Sequence, residues 1–275
     1  MKKRKFTKED KGVAGVIEAL LIVALVAIVI STIQLVYIPQ VMNQREADHM
    51  DEVANQFSSM KAMIDLQSMT EKDVPISSPI TLGSRELPYF VTARAFGELT
   101  VLNNVGEIIV NRLHIATLTS IKYEAFNSYF VNQIYVLEGG GIIVKQPDGD
   151  PVMRVDPPIT VKIATDGTID IYFDIPVITG VPGKNSTNGY GSCFIRTNFS
   201  HNLKGDYYPI SLSNLTIITD YPNAWNESLH DLLGDNFECK KQLNYVEVTP
   251  KTTKQIDLYY QKVYIYAQIS PGWIE

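Results

Sequence analysis

Few of the residues able to do chemistry stand at spacings that would let them. The four histidines, His49, His114, His201 and His230, are scattered, and no His-x-x-x-His pair offers zinc two nitrogens from one helix face. Gly139-Gly140-Gly141 lies between strand-like runs and lacks the following helix that a dinucleotide-binding turn needs. Gly183-Lys184 has no glycine before it at phosphate-loop spacing, and no Gly-x-Ser-x-Gly nucleophile turn occurs. Asp148-Gly149-Asp150 is rich in carboxylate but lacks the alternating ligands and distal Glu of a calcium loop, so it reads as a surface turn. These readings give no catalytic residue, no cofactor site and no metal site. The chain is expected not to be an enzyme, and an envelope hydrolase is the least favoured reading.

Three other sets of residues carry chemistry of a different kind. Cys193 and Cys239 are the two cysteines, and oxidising surroundings would permit a disulfide between them. Closing so long a loop stabilises a fold by about 4 kcal/mol in the chain-entropy model. Two free, buried thiols fit the sequence equally well. Asn185, Asn198, Asn214 and Asn226 each begin an Asn-x-Ser/Thr match, which is an N-glycosylation acceptor on an external surface or simply a turn asparagine. Glu18 lies inside an apolar run, where a carboxylate costs up to about 3 kcal/mol at the bilayer centre and less at its edge. It therefore either takes a cationic partner or sits in the headgroup zone.

That apolar run opens at Val13 and continues to Ile38, with no polar side chain between Ala19 and Ile30. A helix of about 20 apolar residues crosses the hydrocarbon layer of a bilayer. Ala19 to Ile38 has that length even with Ser31, Thr32 and Gln34 inside it. Lys2, Lys3, Arg4, Lys5, Lys8 and Lys11 precede the run. Arg45 is the one basic residue soon after it, among Glu46, Asp48, Asp51 and Glu52. The positive-inside rule then puts the N-terminus in the cytoplasm and the rest outside, in a single-pass cell-membrane protein. A cleaved secretory signal is disfavoured, because the run exceeds the usual signal core and Gln34–Gln44 holds no Ala-x-Ala site. The head holds six basic and two acidic residues, so residues 13–275 carry −10 of a chain total of −6. An acidic body disfavours nucleic acid as a partner.

Behind the span, Pro39 is expected to kink the helix where it leaves the membrane. Met50, Val53, Ala54, Phe57, Met60 and Ile64 then share a helical face, with Asp48, Asp51, Glu52, Gln56 and Lys61 mostly opposite. Packing of that stripe on the chain's own domain is favoured over packing on neighbouring helices. Residues 71–88 are punctuated by Pro75, Pro79, Gly83 and Pro88, and read as a linker with a short strand at Ile80–Leu82. Strand-like runs fill the remainder, at residues 99–102, 108–113, 120–126, 133–137, 141–145, 152–155, 159–164, 168–173, 192–197, 215–219, 243–248 and 255–269. Asp166-Gly167 signals a two-residue hairpin turn, and residues 223–233 a short helix. The fold class is mainly β: an N-terminal transmembrane and amphipathic α-helix followed by an antiparallel β-sandwich, jelly-roll-like. Near the C-terminus Tyr264 and Tyr266 alternate with Val263, Ile265, Ala267 and Ile269, giving one tyrosine-rich face.

Several stretches carry a resemblance. Lys11-Gly-Val-Ala-Gly-Val-Ile-Glu18, the helix to Met69 followed by Val74-Pro75, and Tyr135-Val-Leu-Glu-Gly-Gly-Gly-Ile-Ile-Val144 are three of them. Val152-Met-Arg-Val-Asp-Pro-Pro158, Ile171–Ile178 and Thr219-Asp-Tyr-Pro-Asn-Ala-Trp225 are the others. Together the chain resembles an uncharacterised family of archaeal type IV pilin-like, single-span membrane proteins with a class III signal peptide. The resemblance implies cleavage after Gly12, next to Lys11, so that the mature chain begins at Val13. It also implies that Glu18 pairs with the new α-amino group of a neighbouring subunit, although Glu18 is the sixth mature residue where bacterial pilins carry Glu fifth. The organisation expected is a leader at 1–12, a span at 13–38, an amphipathic helix at 39–70, a linker at 71–88 and an extracellular β domain at 89–275. The function expected is a membrane-anchored, pilin-like surface subunit that contacts lipid and other copies or related subunits. The alternative is an anchored module binding carbohydrate or an envelope protein.

Overall fold

A computed structural model describes residues 8–87, 93–200 and 208–269. Residues 1–7 of the basic head, the 88/89 boundary and His201 lie outside the described residues. The chain opens as one rod: α1 (Lys8–Thr32), a π turn (Ile33–Tyr37) and α2 (Ile38–Thr70). The wide turn sits immediately before Pro39, whose ring cannot donate a backbone bond and would crowd the carbonyl one turn back. Ile38 N–H instead donates to the Ile33 carbonyl, so the extra residue per turn absorbs the proline without breaking the rod. Glu71 ends α2 in the left-handed conformation (φ 51°), its N–H capping the Gln67 carbonyl.

Two sheets follow. In the first, β1 (Ile76–Thr81), β10 (Ser192–Phe199), β15 (Ile256–Ile269), β8 (Ile169–Gly180) and β7 (Ile159–Ile163) pair in that order, with β11 (Tyr208–Ser211) also on β15. In the second the order is β13 (Phe237–Lys241), β14 (Tyr245–Pro250), β12 (Leu215–Ile218), β2 (Phe96–Val110), β3 (Leu113–Phe126), β4 (Ile134–Glu138), β5 (Gly141–Lys145) and β6 (Val152–Val155). There, β9 (Ser186–Gly189) also pairs with β2. The expected β-sandwich is present. The pairing is antiparallel except for β8 with β15, which run parallel in unbroken register from Ile169↔Ile256 to Gly180↔Ala267. The linker expected at 71–88 contains a full sheet member instead, since β1 runs six residues against β10. Pro79 is tolerated there because β1 is an edge strand. The short helix is α3 (Pro222–Leu233).

Both sheets feed two cores. The proximal core joins Met50, Val53, Phe57, Met60 and Ile64 of α2 to Leu99, Val101, Ile121, Tyr123, Ile178, Ile195, Val263 and Ile265. The distal core joins Trp225 and Leu229 of α3 to Ile108, Val110, Leu118, Ile171, Phe173, Ile217 and Leu258. The buried residues change parity at one level in all four long strands. In β2 odd numbers give way to even past a bulge between Leu102 and Gly106. In β3, β8 and β15 the change falls near residues 119–120, 175–176 and 260–263. Successive side chains point to opposite faces. The paired strands β8 and β15 therefore show one face to the distal core and the other to the proximal core.

Candidate functional site

The feature with the clearest functional bearing is the apolar rod and the seat that holds it. Every residue from Val13 to Tyr37 is exposed except Ile33, which is half-exposed; Leu20, Leu21 and Val23 keep about two thirds of their surface (64%, 66% and 65%). Among the described residues no other part of the chain covers this segment, and it is long and apolar enough to cross a membrane. At 1.5 Å per residue its 25 residues extend about 37 Å, against roughly 30 Å of hydrocarbon. The Thr32 hydroxyl is satisfied within the rod by the Ile28 carbonyl. Glu18 is exposed on it, and Lys11 and Gly12 lie in its first turns; the side chains before Val13 fall outside the described residues.

The rod becomes part of the domain at Ile38. Tyr37 is 56% exposed, while Ile38 is 6% and Met42 is fully buried. One turn further, Glu46 is also fully buried, and its carboxylate accepts the backbone N–H groups of Ser128, Tyr129 and Phe130 at 2.7–3.1 Å. Three converging amides are what a buried carboxylate needs to replace water. Asn43 Nδ2 adds a bond to the Tyr129 carbonyl, so two α2 side chains hold the β3–β4 loop. On the other side, Arg45 donates to the Glu86 carbonyl at 2.7 Å.

Higher on α2, polar side chains fasten it to β1. His49 Nε2 donates to the Thr81 carbonyl, and the Gln56 amide brackets Thr81 through both its backbone N–H and its hydroxyl. Burial holds the His49 pKa below its usual value, opposed chiefly by that bond to Thr81. The neutral ring therefore contributes stability that is complete above the ordinary histidine range and is lost as pH falls below it. Gln67 donates to the Val74 and Thr197 carbonyls, tying the last turn to the loop and to β10. Lys61, expected on the polar face, is buried to 8% and paired with Asp65 at 2.6 Å. Tyr123 closes the seat from below: its hydroxyl donates to the Leu82 carbonyl, and only glycine fits at 97, where a Cβ would stand 2.5 Å from the Tyr123 ring.

The remaining sequence candidates do not converge. The possible disulfide is absent, because both cysteines are free. Cys193 packs on the proximal core from β10 and Cys239 on the distal core from β13. Burial pushes the Cys193 thiol up to about 11 and raises that of Cys239, so both stay protonated and unreactive at neutral pH. The four sequon asparagines are half-buried. Asn198 lies within β10 and donates to Asp73, and Asn214 donates to Glu247. Asn226 lies in α3, and the Asn185 carbonyl accepts from Val101. Among the described residues no group of three His, Cys, Asp or Glu side chains is placed to hold a metal ion.

One buried group was not singled out from sequence. Glu138, 1% exposed at the end of β4, accepts from the Thr219 hydroxyl (2.6 Å) and Trp225 Nε1 (2.8 Å) through one oxygen, while its other oxygen has no partner. Burial, with a smaller contribution from nearby Asp220, raises its pKa to about 7 against the lowering effect of those two bonds. The turn after it needs glycine, since Gly139 and Gly140 both have positive φ and a Cβ on Gly139 would meet the Trp225 ring at 2.7 Å. This carboxyl anchors α3 to the β4–β5 hairpin. A groove of about 620 Å3 lies between α2 and β1, lined by Asp51, Asn55, Ser59, Met63, Ser77 and Pro79 among others.

Comparisons with protein-family models, with curated proteins and with solved structures find no match to this chain. Its function is therefore argued from the rod and its seat.

Proposed function

We propose that this chain is a membrane-anchored surface protein of pilin-like organisation, with α1 in the bilayer and the β domain outside the cell. The carrying observation is the unbroken, all-round exposure of the apolar segment Val13–Tyr37, beside a domain that buries two large apolar cores and exposes apolar side chains only here and there. In water so long an uncovered segment would cost several tens of kcal/mol at about 25 cal/mol per Å2, whereas lipid solvates it. The lysine-rich head favours the cytoplasmic side for the N-terminus. On this reading Lys11-Gly12 is the leader-processing site, Val13 the mature N-terminus, and Glu18 the carboxylate that a neighbouring copy neutralises. The role is mechanical, to hold and display the domain, and requires no catalysis.

Separation of membranes from lysate, followed by alkaline carbonate washing and intact-mass measurement, tests this. The expected result is a carbonate-resistant protein whose mass corresponds to a start at Val13. Recovery of the full chain in the soluble fraction would overturn the anchor; recovery in membranes with Met1 retained would remove the processing step alone. The alternative of a carbohydrate-binding module gains little from the tyrosines. On the tyrosine-rich face of β15, Tyr266 is 42% exposed and Tyr264 half-buried, while Tyr172 and Tyr259 stack on each other at 5.0 Å, which covers one face of each ring.

A further inference from the structure

The domain does not stand clear of the bilayer. Glu18 resists the hydrocarbon, and the 20 residues from Ala19 to Ile38 extend about 30 Å, the thickness of that layer. With Glu18 placed at the inner boundary, Ile38 falls at the outer edge. Ile38 is nonetheless buried by the domain, so the domain reaches down to the lipid boundary. The part secured there is the β3–β4 loop. Its Tyr129 carbonyl is bonded to Asn43, five residues or about 7.5 Å beyond Ile38, and its amides are bonded to Glu46. The headgroup layer adds about 5–7.5 Å on each side of the hydrocarbon, so the Asn43 turn that holds Tyr129 stands at its outer edge, with Glu46 about 12 Å beyond Ile38.

The loop's composition suits that position. Residues 126–133, Phe-Asn-Ser-Tyr-Phe-Val-Asn-Gln, carry no charge in a body that is otherwise strongly acidic. Val131 is 39% exposed although apolar, and Phe126, Tyr129 and Phe130 are half-exposed. The backbone is locked rather than loose: Asn127 donates to the Val131 carbonyl and Asn132 Oδ1 accepts the Asn127 N–H. The carboxylate bonded to it, Glu46, is buried under three amides, away from the surface. Aromatic and apolar side chains at headgroup depth are the usual means of fixing a protein at a membrane interface.

We infer that the β3–β4 loop is a second membrane contact, resting in the lipid headgroup layer and fixing the tilt of the domain over its own anchor. The inference rests on the anchor reading above, and its test separates the two. The full chain is reconstituted in phosphatidylcholine vesicles as three variants, Leu25→Trp in mid-span, Val131→Trp in the loop and Leu243→Trp on the far hairpin, where Leu243 is 96% exposed. The emission added by each indole is read against aqueous iodide and against lipid bearing a doxyl group high on its acyl chain. The expected result is that V131W loses most of its added emission to the doxyl lipid and little to iodide, while L243W does the reverse. V131W behaving like L243W, with L25W still quenched by lipid, overturns the loop contact and leaves the anchor standing. L25W unquenched by lipid overturns both. Tyr129→Trp replaces V131W if protease resistance shows that variant to be misfolded, and is judged by the same outcomes.

Discussion

The two halves of the N-terminal rod form one continuous helical run and differ in what surrounds them. From Ala19 to Ile30, α1 is apolar on every side and no described residue covers it; α2 is apolar on one side and buried there against both sheets. The difference shows that helix pattern reports the solvent as well as the fold. An all-round apolar surface needs lipid or other helices, whereas a stripe needs a core. Their carboxylates follow the same division. Glu18 on α1 is exposed, while Glu46 on α2 is buried and satisfied by the domain's own amides.

The comparison breaks most sharply at Phe57, a fully buried ring of α2. Phe57→Ala should destabilise the domain by about 3–5 kcal/mol in chemical denaturation, and leave membrane retention unchanged. The reciprocal change is Leu25→Lys. It should cost about 3 kcal/mol of insertion and lower the carbonate-resistant fraction, with no effect on the melting of whatever domain is recovered.

Glu138 extends the contrast to a buried carboxylate that lacks enough donors. Its folded pKa, near 7, exceeds the ordinary value of 4.5, so the folded state retains a proton that the unfolded chain releases. The stability this group contributes is complete below the ordinary value and is lost as pH rises to about 7. Glu138→Gln should flatten that decline and stabilise the fold at pH 8 by up to about 3 kcal/mol, read from denaturation midpoints across pH. Glu46→Ala should have the smallest effect of the four, about 2 kcal/mol, from three amides left without their acceptor. Protease cleavage within residues 127–132 would report it, and unchanged cleavage would show that Asn43 and the loop's own Asn127 and Asn132 bonds hold it without Glu46.

Much of this was legible in the residues. The apolar run, the stripe Met50–Val53–Phe57–Met60–Ile64 and the strands at 141–145 and 152–155 follow directly from periodicity. Other elements were hidden for physical reasons. β1 reads as a linker because Pro79 and its serines suit an edge strand as well as a loop. β9 and β13 are short and polar, and owe their pairing to neighbours rather than to pattern. The Asp166-Gly167 signal gave a hairpin with a three-residue loop, because Gly167 (φ 90°) closes a bulge back to Ala164. At the site, Glu46 and His49 stand among apolar residues of the stripe, and that misplacement of polar groups was the available sign that both would bond to backbone. The partners, at Ser128–Phe130 and Thr81, are distant in sequence and carry no local mark.

The parity change in the four long strands bears on how the outer body comes apart. A sandwich whose halves were built from separate strands could lose one half and keep the other. Here β2, β3, β8 and β15 thread both, so no stretch of chain can be removed to leave an intact remainder. Heating or pulling should therefore find one cooperative event in the β body, with the outermost hairpins and the end packed on α2 failing together.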